Sequence, residues 1–247
     1  MTATRLRELH VAGTPLLLPN AWDADSARLV EAAGFPVVAT SSFAIAKVLG
    51  YEDGEAAPAA EMFAAAARIA RAVSVPVTVD AESGYGLEAG ALAERLAESG
   101  AVGCNYEDTD HANGGIRPLE EQADRVAELR KAAGDALVIN ARVDVFLGAP
   151  DERAVLDDAV ARAKAYLEAG ADCVYPILVK SPEVLGEFVK AVAPGAVNVS
   201  PLPGGPDLSA LAALGVARIS LGTGLWKSAR ADIEAKLAGL AAGKLPY

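Results

Sequence analysis

The chain has 247 residues, enough for one or two domains, and 52% of them are hydrophobic, so a large core is within reach. Thirty-three acidic residues against 22 basic ones give a net charge of −11, which argues against nucleic acid and anionic membranes as partners, since both need clustered Lys and Arg. An anionic small substrate stays open, because a metal and a few placed arginines reverse the sign locally.

No apolar run approaches the roughly 18 residues of a membrane-spanning helix, and Met1–Glu8 lacks the apolar core of a secretory signal. Cys104 and Cys173 each sit inside an apolar run without metal-binding or redox spacing, so both are read as reduced core thiols. A cytoplasmic protein is expected.

Taken in chain order, short apolar runs predict strands at Leu16–Leu18, Val37–Ala39, Val75–Val79, Ala101–Tyr106, Ala136–Ala141, Cys173–Tyr175, Ala196–Val199 and Ala217–Leu221. Their Val, Ile and Leu content without polar alternation is that of strands buried on both faces. Helical patterns lie between and after them: Ala24–Ala33, Ala59–Val73, Leu87–Ser99, Leu119–Ala132, Glu152–Ala169, Pro182–Val192, Leu208–Leu214 and Gly224–Ala241. Gly34, Gly100, Gly134, Gly170 and Gly215 each follow a helix and precede a strand, the left-handed C-cap such connections favour. Eight strands alternating with eight helices, with no linker or shift in composition, predict one (β/α)8 barrel over residues 1–247. A doubly wound sheet would more often carry a glycine-rich loop after its first strand. Here that position reads Pro19-Asn20-Ala21-Trp22-Asp23.

A barrel places its reacting groups at the C-terminal ends of the strands. The third strand ends in Asp80-Ala81-Glu82-Ser83-Gly84-Tyr85-Gly86, with two carboxylates at i and i+2 directed to one side if the strand continues. Glu107 ends the neighbouring strand. Three converging carboxylates with no nearby Lys or His imply a hard divalent cation, Mg²⁺ first and Mn²⁺ as the alternative. Two plainer readings stand beside it: Asp80 caps the next helix, or Glu107 pairs with Arg142 and no metal binds. Zinc is disfavoured, since His10 and His111 are the only histidines and neither neighbours a cysteine.

Arg142, after the fifth strand, suits a substrate carboxylate or a developing oxyanion. Ser41 and Ser42, after the second, suit a carboxylate cradle or a helix cap. Two segments exceed what a barrel needs: Phe43–Pro58, and Asp108–Pro118 with His111 and Asn113. They read as lids over the mouth or as ordinary surface loops. Gly222-Thr223-Gly224 is a weak phosphate-binding signal.

These residues resemble the isocitrate lyase/phosphoenolpyruvate mutase superfamily. The resemblance runs from Asn20 to about Lys227 and rests on Thr40-Ser41-Ser42, Leu49-Gly50-Tyr51-Glu52-Asp53, Asp80–Gly86, Gly103-Cys104-Asn105-Tyr106-Glu107-Asp108 and Ala141-Arg142-Val143-Asp144. It implies a barrel that binds Mg²⁺ and a 2-oxo acid and works through a pyruvate-like enolate. On that pattern Asp80 ligates the metal, while Asp53, Glu82 and Glu107 act mainly through water. Ser41, Ser42 and Phe43 bind the substrate carboxylate, with Tyr85 and Asn113 as further contacts. Arg142 lies on the oxyanion side. Apart from the resemblance, His111 in the loop over the mouth, or a metal-polarised water, is expected to move the proton, and Glu107 is counted with Arg142 and His111 as catalytic. The resemblance also implies a homo-oligomer, a dimer or a dimer of dimers, whose C-terminal segment of about residues 224–247 is exchanged between subunits.

The departures narrow the activity. The Lys-Lys-Cys-Gly-His loop of the cysteine-dependent lyases is replaced by Thr109–Gly115, and the Trp and Lys-rich loop of the phosphonopyruvate enzymes are absent. Glu82 stands where Asp is commoner. The expectation is a Mg²⁺-dependent carbon–carbon lyase or decarboxylase acting on a 2-oxo acid. The alternatives are a P–C bond mutase or hydrolase, and a 2-oxo acid binding protein without turnover.

Overall fold

A computed structural model describes residues 2–247, and its strands close on themselves. They are β1 (Leu16–Leu18), β2 (Asn20–Ala21), β3 (Val38–Thr40), β4 (Val77–Asp80), β5 (Gly103–Glu107), β6 (Val138–Val143), β7 (Cys173–Pro176), β8 (Ala196–Val199) and β9 (Arg218–Ser220). All pair in parallel, in the order β1-β9-β8-β7-β6-β5-β4-β3-β2. β1 and β2 are two halves of the first barrel strand. They are separated by Pro19, which has no N–H for a ladder; β1 pairs with β9 and β2 with β3, and this closes the (β/α)8 barrel.

The outer ring consists of α2 (Ala24–Ala32), α3 (Ser42–Leu49), α4 (Ala59–Ala72), α5 (Ala89–Glu98), α6 (Leu119–Ala133), α7 (Leu156–Glu168), α8 (Pro182–Val192) and α9 (Leu208–Ala213). Their apolar faces and the outer faces of the strands form one continuous core that includes Ile69, Leu92, Leu96, Val126, Leu129, Ile139, Tyr166 and Phe188. A six-residue helix, α1 (Ala3–Glu8), plugs the bottom of the barrel. Its Leu6 is fully buried among Leu16, Leu18, Val37, Ala39 and Val138, a burial that contributes about 1.5–3 kcal/mol. Gly103 makes room for it: a Cβ there would lie 2.8 Å from Leu6 Cδ2.

The helix α3 was expected as part of a loop. It has its own signals: Ser41 Oγ accepts the Ala44 N–H, and Gly50 ends the helix at φ 92°. The helix expected from Glu152 begins at Leu156 instead, because the Glu152 carboxylate is used to accept the backbone N–H groups of Lys180 and Ser181. The last helix, α10 (Gly224–Ala241), has no buried residue, and Leu225, Ile233, Leu237 and Leu240 stand 39–58% exposed along it. No described helix is long and apolar enough to cross a membrane.

Candidate active site

Asp80 is the last residue of β4, and the groups around it fix its carboxylate. Oδ2 accepts the Ser42 N–H at 3.1 Å and the Ser42 hydroxyl at 2.8 Å, while Oδ1 accepts the Asn105 side-chain amide at 3.2 Å. Its own N–H donates to Thr40 Oγ1. Asp80 does not cap the helix that follows it: α5 starts at Ala89, with no side-chain hydrogen bond at its cap, and the helix N–H that Asp80 accepts is that of Ser42, the first residue of α3.

Glu82 reaches the site by a different route from the one strand alternation suggests. The strand stops at Asp80, and Glu82 lies in the following turn at φ 48°, with Gly84 at 98°, Tyr85 at 55° and Gly86 at 68°. The turn folds Glu82 inward to 3% exposure, where Oε1 accepts the Tyr85 hydroxyl at 2.8 Å and Oε2 accepts the Glu55 N–H at 2.7 Å. Glu55, also left-handed at φ 62°, accepts Ser83 Oγ and the Tyr85 N–H with its carboxylate. The 50–58 loop is thereby clamped onto the turn. Glu55 carries no motif signal, and sequence reasoning missed it.

Glu107 ends β5, 2% exposed and in register with Arg142 on β6. Its Oε2 lies 2.5 Å from Arg142 Nη1, so the ion pair expected as the plainer reading forms, and its Oε1 lies 2.7 Å from His111 Nε2. Arg142 also donates through Nε and Nη2 to both oxygens of Asp144, each at 2.6 Å. Asp144, fully buried, has its N–H bound by Asp108, and Asp108 is anchored by the Tyr166 hydroxyl at 2.7 Å and Arg162 at 3.2 Å. This chain of contacts aims the guanidinium.

The other expected residues separate into near and far. His111 is 3.8 Å from Glu82 as well, and the ligand atoms of Glu82, Glu107 and His111 lie within 4.8 Å of one another. Gly54, at φ 79°, lets the two loops meet, since a Cβ there would sit 3.3 Å from His111 Nδ1. Asp53 is open to solvent yet near the site, where the charges of Asp80, Arg142 and His111 reach it. Phe43 turns its ring onto Trp226 of α10, with centroids 5.6 Å apart. Asn113 is exposed and bonds only within its own loop, to Asp110. The Gly222 N–H is used internally, by Asn20 Oδ1 at 2.8 Å. Beside the acids a cavity of about 410 Å³ is lined by Gly54, Glu55, Pro58, Tyr85 and His111.

Burial, and then the charge of Asp80, push the Glu82 carboxyl up to about 8. Burial pushes Glu107 up too, although Arg142 and His111 oppose it. Asp53 is raised by burial and by Asp80. The hydrogen bond to Glu107 raises His111 above its ordinary value despite its partial burial. Burial works against the charge on Arg142, but Glu107 and Asp144 outweigh it and hold the guanidinium protonated. The ligand atoms of Glu82, Glu107 and His111 converge, the charge of Asp80 reaches Asp53, Glu82 and Glu107, and Arg142 pairs with Glu107 alone among these four acids. That chemistry fits a hard divalent cation.

The family described as phosphoenolpyruvate phosphomutase matches residues 6–241. The chain belongs to the isocitrate lyase/phosphoenolpyruvate mutase superfamily. It is similar to a Burkholderia cenocepacia protein provisionally called a phosphonomutase, at 43% identity and a TM-score of 0.89, covering 96% of this chain and 99% of that one. It is 36% identical over 229 residues to an uncharacterized Mycobacterium tuberculosis protein, covering 91% of this chain and 86% of the relative. It is 30% identical over 199 residues to 2-methylisocitrate lyase of Bacillus subtilis, covering 77% of this chain but 64% of that enzyme.

Proposed function

We propose that the protein is a Mg²⁺-dependent lyase that breaks the carbon–carbon bond next to a 2-oxo acid, decarboxylation of oxaloacetate being the simplest instance. The observation that carries this reading is the cluster of Glu82, Glu107 and His111, with the charge of Asp80 acting on both acids, beside a doubly anchored Arg142 at the barrel mouth. Asp80 is assigned as the direct metal ligand, and Glu82, Glu107 and Asp53 as acids acting mainly through bound water. Mn²⁺ would substitute. A bound divalent cation supplies a Lewis acid that polarises the 2-oxo group and offsets negative charge as the bond breaks.

The residues of the chain do the rest. The substrate carboxylate is assigned to the start of α3 at Ser41, Ser42 and Phe43; the Ser41 N–H is bonded to Ala21 O and the Ser42 N–H to Asp80, which leaves the Phe43 N–H to receive it. In decarboxylation the C–C electron pair stays with the three-carbon fragment, CO2 leaves, and the enolate oxygen faces Arg142. His111, whose hydrogen bond to Glu107 favours its protonated form, is assigned to return a proton to the enolate carbon. Tyr85 holds Glu82 and closes the wall of the site.

The last helix fits the subunit exchange implied by the resemblance: its apolar residues are exposed, and Trp226 touches the site through Phe43. A homo-oligomer with α10 seated on a second copy is part of this reading, and its mass in solution by light scattering tests it.

Assaying a panel of 2-oxo acids and phosphonopyruvate with Mg²⁺ for pyruvate release tests the function. Release from a 2-oxo acid supports the lyase. Release from phosphonopyruvate alone would favour P–C bond chemistry, the reading that the family description and the Burkholderia relative support. Silence across the panel, with binding retained, would leave a 2-oxo acid binding protein.

A further inference from the structure

Below the acids the barrel interior is polar. Arg218 leaves β9 pointing inward, 1% exposed, and its guanidinium crosses the barrel to β5. Nη2 donates to Asn105 Oδ1 at 3.2 Å, and Nε donates to the Ser220 hydroxyl at 3.3 Å. Asn140 Nδ2 donates to the same Asn105 oxygen at 2.8 Å. The other end of that amide, Asn105 Nδ2, donates to Asp80 Oδ1. Among the described residues Arg218 forms no ion pair, and Nη1 has no partner. Burial pulls its protonation downward, and the carboxylate whose charge reaches it is that of Asp80. A buried guanidinium without an adjacent acid is costly unless it serves a purpose apart from stability.

The hydrogen-bond inventory of the row suggests the purpose. Arginine only donates, and an ionised aspartate only accepts. An asparagine between them must turn its oxygen to one and its nitrogen to the other. Asn140 is itself an amide with an unpartnered oxygen, and Ser220 is a rotatable hydroxyl, so both can reverse. Arg218 cannot. We propose that Arg218 is a positioning residue for Asp80: through Asn105 it keeps an N–H directed at Asp80 Oδ1 and so holds that carboxylate in its metal-facing orientation. Without it, Asn105 is free to present its oxygen to Asp80, which repels the carboxylate and turns it. This rests on the reading of Asp80 as a metal ligand.

The test compares full-length wild type, Arg218→Met and Arg218→Lys. The first readout is Mn²⁺ affinity from the paramagnetic resonance of free Mn²⁺; the second is the Asn105 side-chain amide resonance of metal-free, ¹⁵N-labelled protein, assigned by its loss in Asn105→Ala. Arg218→Met should weaken Mn²⁺ binding by about tenfold or more, as loss of groups behind a metal ligand does, and should move the Asn105 resonance. Arg218→Lys keeps a pure donor and should recover most of the affinity. Wild-type affinity with an unmoved resonance in Arg218→Met overturns the proposal. So does a Lys variant as impaired as the Met variant, and the Lys variant decides the matter if Arg218→Met does not fold. If wild type binds no Mn²⁺, the metal reading fails, and the Asn105 resonance alone judges the relay: moved in Arg218→Met it stands, unmoved it falls.

Discussion

The rim and the floor of this barrel are both crowded with polar groups, but they balance them in opposite ways. On the rim, at the ends of β4 and β5, the charge of Asp80 reaches both Glu82 and Glu107, and burial pushes the carboxyls of Glu82 and Glu107 upward. On the floor, Arg218, Asn105, Asn140, Asn198 and Ser220 are joined by fixed hydrogen bonds between neutral groups and one cation. The rim carries more acids than the Arg142 cation pairs with, whereas the floor has one cation and no acid beside it. A site that must accept and release a charged ligand needs the first property, and the second keeps it in shape.

Breaking the rim should have the largest effects. Asp80→Ala is expected to abolish Mg²⁺-dependent binding of oxalate or pyruvate in a calorimeter; unchanged affinity would remove Asp80 from the metal site. Arg142→Ala should lower kcat/KM by roughly 10²–10³, the usual loss when a donor to a developing oxyanion is removed. For His111→Ala the expectation is a fall in kcat of about 10² with KM little changed, since a proton carrier acts on the transition state more than on binding. Equal kinetics would exclude it.

A pH series sharpens the contrast with the smallest effect. The Glu82 carboxyl in the folded protein, at about 8, lies above its ordinary 4.5, so between those values the folded state holds a proton that the unfolded chain has released. The metal-free protein should therefore lose stability as pH rises through that window. His111, raised by Glu107, acts in the same direction: its contribution is complete below its ordinary value and fades as pH climbs past the raised one. A divalent cation displaces those protons, so Mg²⁺ should raise Tm more at pH 8.5 than at pH 6, by about 2–4 °C for each kcal/mol gained. An equal Mg²⁺ effect at both values would mean that the acids are not its ligands.

The barrel was legible in the sequence because its strands are apolar on both faces and its helices end on Gly34, Gly100, Gly170 and Gly215, all at positive φ. The acids were legible because carboxylates after apolar strands are conspicuous. Their geometry was less so: Glu82 converges on Asp80 through a left-handed turn, not through strand alternation. The helix α3 was hidden inside a stretch that looked like a lid, although Ser41 and Gly50 mark its ends. Glu55 was invisible because its part depends on a loop crossing back over the Ser83–Tyr85 turn. Arg218 did leave a trace, a lone charge inside Ala217–Leu221, a run otherwise fit for burial on both faces.

Glu55, Glu82 and Tyr85 are three side-chain-bearing residues in the left-handed region, and all three meet at one corner of the site. Each such residue stores about 1–3 kcal/mol that glycine would release. A search for heat-resistant variants of this protein is thus steered toward Gly at 55, 82 and 85, where relief of strain would cost the wall two side-chain hydrogen bonds at 55, two at 82 and one at 85. Selection by melting temperature and selection by turnover should part company at this corner before anywhere else in the barrel.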